Sequence, residues 1–396
     1  MDAWETVLEC IDGEWIAEQA MKLVEIPSVT MDEEEVCRCY EAQLRDLGLE
    51  VDVRQVTPGR TNLYARIAGR GDGPTLMLNG HLDTIPIGDC WPCRREDDRI
   101  YGRGSTDMKG GMAAALGAAR ALLESGARLN GDLLITAVVG HEEPEAKKDG
   151  PLALIEDVES GRAACDRILI VEGRDALWIM SMGSLNFTIT MESDRGGQHT
   201  QYVAFGDNPI RHMGDLIRRI YERQQEMDAG ALHPLAGAER IDLGIARAGD
   251  YFNRTPTVCT LTGTRRWAPG KNAEEVLVEL EKLARPFAEA GGLKLGVQME
   301  HQREAFETPQ TDAAVVATAE AHRLVTAGEA EYIGMRIVGD ANLYVHGSGV
   351  PTFYYGPSNE TAHADVEWVS VERMEKAAGV YALAAMKYCG VAGEGL

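Results

Sequence analysis

Thr75-Leu-Met-Leu-Asn-Gly-His-Leu-Asp83 is an apolar run of strand length that ends on an imidazole and a carboxylate. The same pattern recurs three times. Leu133-Leu-Ile-Thr-Ala-Val-Val139 leads into His141-Glu142-Glu143, and Arg167-Ile-Leu-Ile-Val171 leads into Glu172-Gly173. Pro351-Thr-Phe-Tyr-Tyr355 leads, after a short loop, into His363-Ala-Asp365. Short continuous apolar runs fit strands buried on both faces. Segments with helical spacing lie between them: Trp15 to Glu25, which stops before Pro27; a helix opened by Ser28, Thr30 and Asp32 and running to Leu47; Met112 to Glu124; and Val371 to Lys387. Strands alternating with helices predict an α/β fold, a mostly parallel sheet with helices on both faces. Ligands of such sheets bind beyond the carboxyl ends of the strands. His, Asp and Glu are therefore expected to converge on one edge.

The middle of the chain reads differently. Leu185-Asn-Phe-Thr-Ile-Thr-Met191 alternates as a half-buried strand, followed by a helix over Pro209 to Asp228. Thr257 to Arg265 is a strand, Asn272 to Glu289 a helix and Leu293 to Glu300 a strand. This β-α-β-α-β order suits a small α+β insert of ferredoxin-like type. The expected division is a discontinuous domain over residues 1–183 and 302–396, carrying an inserted domain over 184–301. No internal repeat or low-complexity tract is evident.

The 396 residues carry a formal net charge of −24, which disfavours nucleic acid and anionic membranes as partners. Apolar runs fall far short of the ~20 residues of a membrane span. The opening Met1-Asp-Ala-Trp-Glu-Thr lacks a basic stretch followed by an apolar one, so a cytoplasmic location is the default expectation. Eight scattered cysteines do not form a secreted disulfide framework.

Imidazole and carboxylate together suit zinc, manganese or cobalt. Two ions about 3.5–4 Å apart can share one carboxylate. Asp107, in Gly102-Arg-Gly-Ser-Thr-Asp-Met-Lys-Gly-Gly111, is the candidate bridge, beside glycines that permit a tight turn. Glu142 and Glu143 can diverge at a strand end, one towards a metal and the other towards water as a base.

Together, Gly80-His-Leu-Asp83, Tyr101 to Gly111, Glu142-Glu143, Glu172-Gly173 and His363 resemble the M20 family of metallopeptidases and deacylases, in the family's order and over nearly the whole chain. The resemblance implies a di-metal exopeptidase-like catalytic domain with two divalent ions, zinc before cobalt or manganese. It implies that His81 and Glu172 hold one ion, Glu143 and His363 the other, and that Asp107 bridges them. Asp83 would orient His81, and Glu142 would be the general base. The insert resembles the family's lid, which implies a homodimer or higher oligomer. His199, in Gly196-Gly-Gln-His-Thr200, would stabilise the oxyanion in the partner's site. Asn253 would be a lid site residue, and Arg266 would bind the carboxylate of a small substrate through its planar fork.

Some positions depart from the family pattern. His141 stands where Asp is common, Ala248-Gly249-Asp250 replaces an expected Gly-Gly step, and Gly339-Asp-Ala-Asn342 matches only in part. The expected activity is hydrolysis of an amide-like C–N bond in an N-acyl amino acid or small peptide. Alternatives are a deaminase or carbamoyl-amino-acid hydrolase on the same metal site, and a redox or non-catalytic dimeric binding protein. The redox reading rests on Cys90-Trp-Pro-Cys93, which has no second C-x-x-C to complete a zinc site. Lys109 is read as a structural charge, and His141 as either a ligand contact or a packed loop residue. His301, His322 and His346 are read as ordinary residues.

Overall fold

The computed structural model describes residues 3–392. The chain divides into two compact units. The first comprises Met1–Ile179, Thr308–Ile333 and Leu343–Leu396; the second comprises Met180–Glu307 and Gly334–Asn342. Among the described residues no helix is long and apolar enough to cross a membrane.

In the first unit the strands lie side by side in the order Val51–Thr57, Arg60–Ile67, Leu133–Val138, Leu76–His81, Arg167–Ile170, Thr352–Tyr354 and the start of Leu177–Ser181. The four from Leu133–Val138 to Thr352–Tyr354 run parallel. Antiparallel strands flank them on each side. Leu76–His81 and Leu133–Val138 are buried at every residue, which is why their sequences show no alternation. Helices Gly110–Glu124 and Val371–Cys389 pack against the Leu76–His81 strand and each other. Their many alanines lie buried. Ser370 caps the second of these, accepting from Arg373 N at 3.2 Å.

The Val51–Thr57 and Arg60–Ile67 hairpin is absent from the sequence reading. Its outer strand buries only Val51 and exposes Val53, so it leaves little hydrophobic alternation to read. A separate three-stranded ribbon joins Arg94–Glu96, Arg99–Tyr101 and Trp368–Ser370, pairing Trp368 with Tyr101. It ties the segment before Asp107 to the segment after His363.

The second unit has a four-stranded antiparallel sheet ordered Arg240–Ala248, Val258–Trp267, Gly183–Glu192, Lys294–Arg303. Helices Pro209–Ala229 and Ala273–Gly291 accompany it, the latter opened by an Asn272/Glu275 capping box. Leu185, Phe187, Ile189 and Met191 meet Leu216, Ile220, Val276 and Leu280 in its core. The observed order is β-α-β-β-α-β, one strand more than expected from sequence. The additional strand, Arg240–Ala248, is an edge with only Ile241 buried. Its register shifts at Gly244. An exposed, interrupted edge has little hydrophobic alternation to read.

Candidate metal centre

Register brings the candidate residues together. His81 pairs level with Val138, Asn79 with Ile170, and Ile170 with Tyr354. The parallel strands therefore end together, and the segments carrying His81, Glu142, Glu143, Glu172 and His363 all emerge at one edge. Two glycines permit the close packing beneath. A Cβ on Gly80 would lie 2.4 Å from Met112 Sδ, and one on Gly111 would lie 1.8 Å from the Val171 carbonyl oxygen.

His81 is buried, with Nε2 3.1 Å from Asp107 Oδ1. Its Nδ1 lies 2.9 Å from the backbone oxygen of Asp83. A carbonyl can only accept, so Nδ1 carries the proton and Nε2 is the nitrogen turned to the site. The Asp83 carboxylate is 3.7 Å from Nδ1, outside hydrogen-bond range. It accepts instead from His141 N at 3.0 Å, Glu142 N at 2.9 Å and the Thr30 hydroxyl at 2.7 Å. Asp83 thus meets His81 through its backbone, while its side chain holds the turn that carries the glutamate pair. Thr30 Oγ1 also accepts from Glu143 N at 3.3 Å.

Asp107 turns its other oxygen to a second imidazole: His363 Nε2 is 3.4 Å from Oδ2. The same His363 nitrogen lies 3.2 Å from Glu142 Oε2. His81, Asp107 and Glu142 each offer a ligand atom within 4.8 Å of the others, the one such group among the described residues. Glu143 and Glu172 fall outside that group; both are half-buried at the ends of their strands. Burial alone would lower the pKa of His81, but the Asp107 carboxylate outweighs it and holds the pKa well above the usual range. Asp107 and Glu142 raise His363 to about 10. Burial works against Asp107, yet His363 and His81 hold its carboxyl well below the carboxylate norm. The Asp107 and Glu142 carboxylates draw both imidazoles towards protonation, and the mixed N/O donor set suits a divalent ion such as zinc, cobalt or manganese.

Several supporting residues escaped the sequence reading. Glu33 is buried, pairs with Arg60 at 2.8 Å and accepts from Gly140 N at 3.1 Å, just before the glutamate pair. Glu367 is buried and pairs with Arg103. Pattern reading gives no signal for such roles, because an isolated acid in a loop resembles a solvated one. His141, read from sequence as either a ligand contact or a packed loop residue, stacks flat on His81, ring centroids 4.1 Å apart. Lys109 is buried and donates to the Leu23 and Ile26 carbonyls at 2.9 and 2.8 Å, which is structural work at a helix end. All eight cysteines are free. Cys90 Sγ lies 3.1 Å from the Asp365 oxygen, and burial pushes Cys93 up to about 11, far from a reactive thiolate.

In the second unit, His199 and Asn253 come together. Asn253 Nδ2 is 3.2 Å from His199 Nε2, and Thr200 N donates to the Asn253 oxygen at 3.0 Å. His199 is exposed. Arg266, on the Val258–Trp267 strand, has a buried Nη1 with no hydrogen-bond partner.

The sequence profile of Peptidase family M20/M25/M40 matches residues 77–387. The chain belongs to this family. It is a hydrolase of the peptidase and amidohydrolase kind. A curated relative, the succinyl-diaminopimelate desuccinylase of Cereibacter sphaeroides, is 29% identical over 302 residues, 72% of this chain and 77% of the relative. Solved M20-type structures share the fold. Aminopeptidase PepT from Bacillus cereus superposes with a TM-score of 0.80 at 18% identity, covering 96% of this chain and 99% of that one. The Bacillus subtilis YXEP protein, described as a dinuclear metal-binding peptidase of the M20 family, gives a TM-score of 0.71 at 16% identity, covering 94% and 97%.

Proposed function

We propose that this M20 chain is a metal-dependent amidohydrolase that cleaves the amide-like C–N bond of an N-acyl amino acid or small peptide. The observation that carries this reading is Asp107, whose two oxygens address two different histidines, His81 and His363. We assign His81 and Glu172 to one divalent ion, Glu143 and His363 to a second, and Asp107 to both, with zinc preferred over cobalt or manganese. Bound there, the ions would supply concentrated positive charge that favours deprotonation of water and stabilises a developing oxyanion.

The chain's own groups do the rest. Glu142 takes a proton from the attacking water; hydroxide adds to the scissile carbonyl carbon; Glu142 returns the proton to nitrogen as the C–N bond breaks. The products are a carboxylate and an amine. Asp83 keeps Glu142 in place through its backbone N–H. We assign the substrate's carboxylate to Arg266, whose unmet donor suits a planar anion. His199 and Asn253, held together by their side chains, are assigned to the substrate carbonyl, and the second unit to homodimer formation. Free cysteines suit a cytoplasmic setting.

The test is dialysis against a chelator, reloading with Zn²⁺, Co²⁺ or Mn²⁺, and a turnover screen over acetyl, succinyl, formyl, carbamoyl and aminoacyl derivatives of several amino acids. Turnover lost with the metal and restored by it, with carboxylate released, is expected. Full turnover in metal-free protein defeats the reading. Release of ammonia would move the assignment to a deaminase or ureido hydrolase.

A further inference from the structure

Glu367 lies four residues after His363, in a loop with no candidate role of its own, yet its carboxylate is buried and fully engaged. Oε2 accepts from Arg103 Nη1 at 2.6 Å. Oε1 accepts from two successive backbone N–H groups, Thr106 at 2.9 Å and Asp107 at 3.1 Å. Arg103 is itself pinned, donating to the Ala364 oxygen at 3.0 Å and the Pro86 oxygen at 3.2 Å. The backbone adds a further tie, Gly102 N to the Glu367 oxygen at 3.0 Å. The loop that carries His363 is thus stitched to the loop that carries Asp107.

Asp107 sits at φ −124°, ψ 92°, and Met108 after it at φ −134°, ψ 30°, both outside helical geometry. No regular hydrogen-bond ladder fixes the direction of its Cα–Cβ bond, so the hold on its own peptide N–H must do so. A carboxylate is costly to bury, and Arg103 alone would leave Oε1 unmet. The two N–H groups that complete it belong to Asp107 and its neighbour.

We propose that Glu367 is a positioning residue, whose buried carboxylate aims Asp107 so that its two oxygens face His81 and His363. This rests on the reading of Asp107 as a ligand shared by two ions. Partners of metal ligands commonly change metal affinity by about 10- to 100-fold when altered. Aiming a shared ligand concerns the second ion most, since that ion needs both oxygens directed.

The experiment is calorimetric titration of the metal-free full chain with Zn²⁺ alone, for wild type, Glu367→Gln and Glu367→Asp, each checked for native circular dichroism. Glu367→Gln removes the charge and keeps the length; Glu367→Asp keeps the charge for Arg103 and withdraws the oxygens from the two N–H groups. Wild type is expected to take two equivalents. Both variants are expected to weaken the second by about 10- to 100-fold. A purely structural role would lower melting temperature and leave zinc affinity of the folded protein unmoved. Wild-type affinity at both sites in either folded variant overturns the proposal. Failure of both variants to fold also overturns it, because aiming one ligand leaves the chain foldable. If wild type itself takes no zinc, the metal reading of the site fails first, and the two failures are distinct.

Discussion

Asp83→Asn isolates the part of the centre that can be checked without metal or substrate. The carboxylate accepts three hydrogen bonds: His141 N at 3.0 Å, Glu142 N at 2.9 Å and the Thr30 hydroxyl at 2.7 Å. An amide keeps one acceptor oxygen. Its NH₂ group can be received by the Thr30 hydroxyl, which rotates, but the second backbone N–H then faces a donor. One charge-assisted bond, about 1.5–3 kcal/mol, is lost, and a buried N–H is left unmet, so the net cost is about 2–4 kcal/mol. The cost falls on the 141–143 turn first. At about 1.4 kcal/mol per decade, its amides should exchange with deuterium roughly 30- to 700-fold faster. Mass spectrometry of a peptide spanning residues 139–145 reads this directly. The His81 contact should survive, because the Asp83 backbone carbonyl makes it. Unchanged protection of that peptide, or a disturbed His81 ring beside an intact turn, would refute the division of labour between backbone and side chain.

Three further outcomes are expected. Glu142→Gln should lower kcat by about 10²- to 10⁴-fold while the protein still takes two zinc equivalents; loss of a zinc equivalent, measured by atomic absorption, would make Glu142 a ligand instead of a base. In metal-free protein, Asp107 and Glu142 raise His363 to about 10, and Asp107 holds His81 up against its burial. Groups raised on folding contribute stability that is whole below the ordinary histidine value near 6.5 and lost as pH climbs through about 10. Melting temperature of the metal-free chain should therefore fall between those limits, less steeply in His363→Ala, and a flat profile in the parent chain counts against the cluster. Gly111→Ala puts a methyl 1.8 Å from the Val171 oxygen and should cost about 3 kcal/mol or more, seen as a lowered melting temperature; a tolerated alanine would mean that the helix does not sit so close to the strand.

What was legible in the sequence followed from burial. Strands covered on both faces, such as Leu76–His81 and Leu133–Val138, leave continuous apolar runs, and their polar ends mark the site. What was illegible followed from exposure. The edge strand Arg240–Ala248 and the outer strand Val51–Thr57 each bury a single residue, Ile241 and Val51, and so look like loops. At the site, residue type and chain order nominated His81, Asp107, Glu142 and His363, which the fold draws together. The resemblance that paired Asp83 with His81 left open which atoms meet; at this strand end the backbone oxygen of Asp83 makes the contact, at 2.9 Å, and the carboxylate lies 3.7 Å away.

Asp83 and the unforeseen Glu33 and Glu367 share a physical logic. Glu33 takes Gly140 N, Asp83 takes His141 N and Glu142 N, and Glu367 takes Thr106 N and Asp107 N. Each is a buried acid from another segment, gripping the backbone at or beside a candidate ligand. Loops lack the mutual hydrogen bonds of a ladder, so their N–H groups need outside acceptors, and a carboxylate oxygen can serve two at once. Fixing ligand-bearing loops in this way concentrates negative charge around them. Arg60 and Arg103 answer part of it, at Glu33 and Glu367. Among the described residues no arginine or lysine pairs with Asp83, which has the edge of His81, or with Asp107 and Glu142, which meet imidazoles. The scaffold that makes the loops rigid thereby leaves an unbalanced anionic centre, and divalent cations are the species that would complete it.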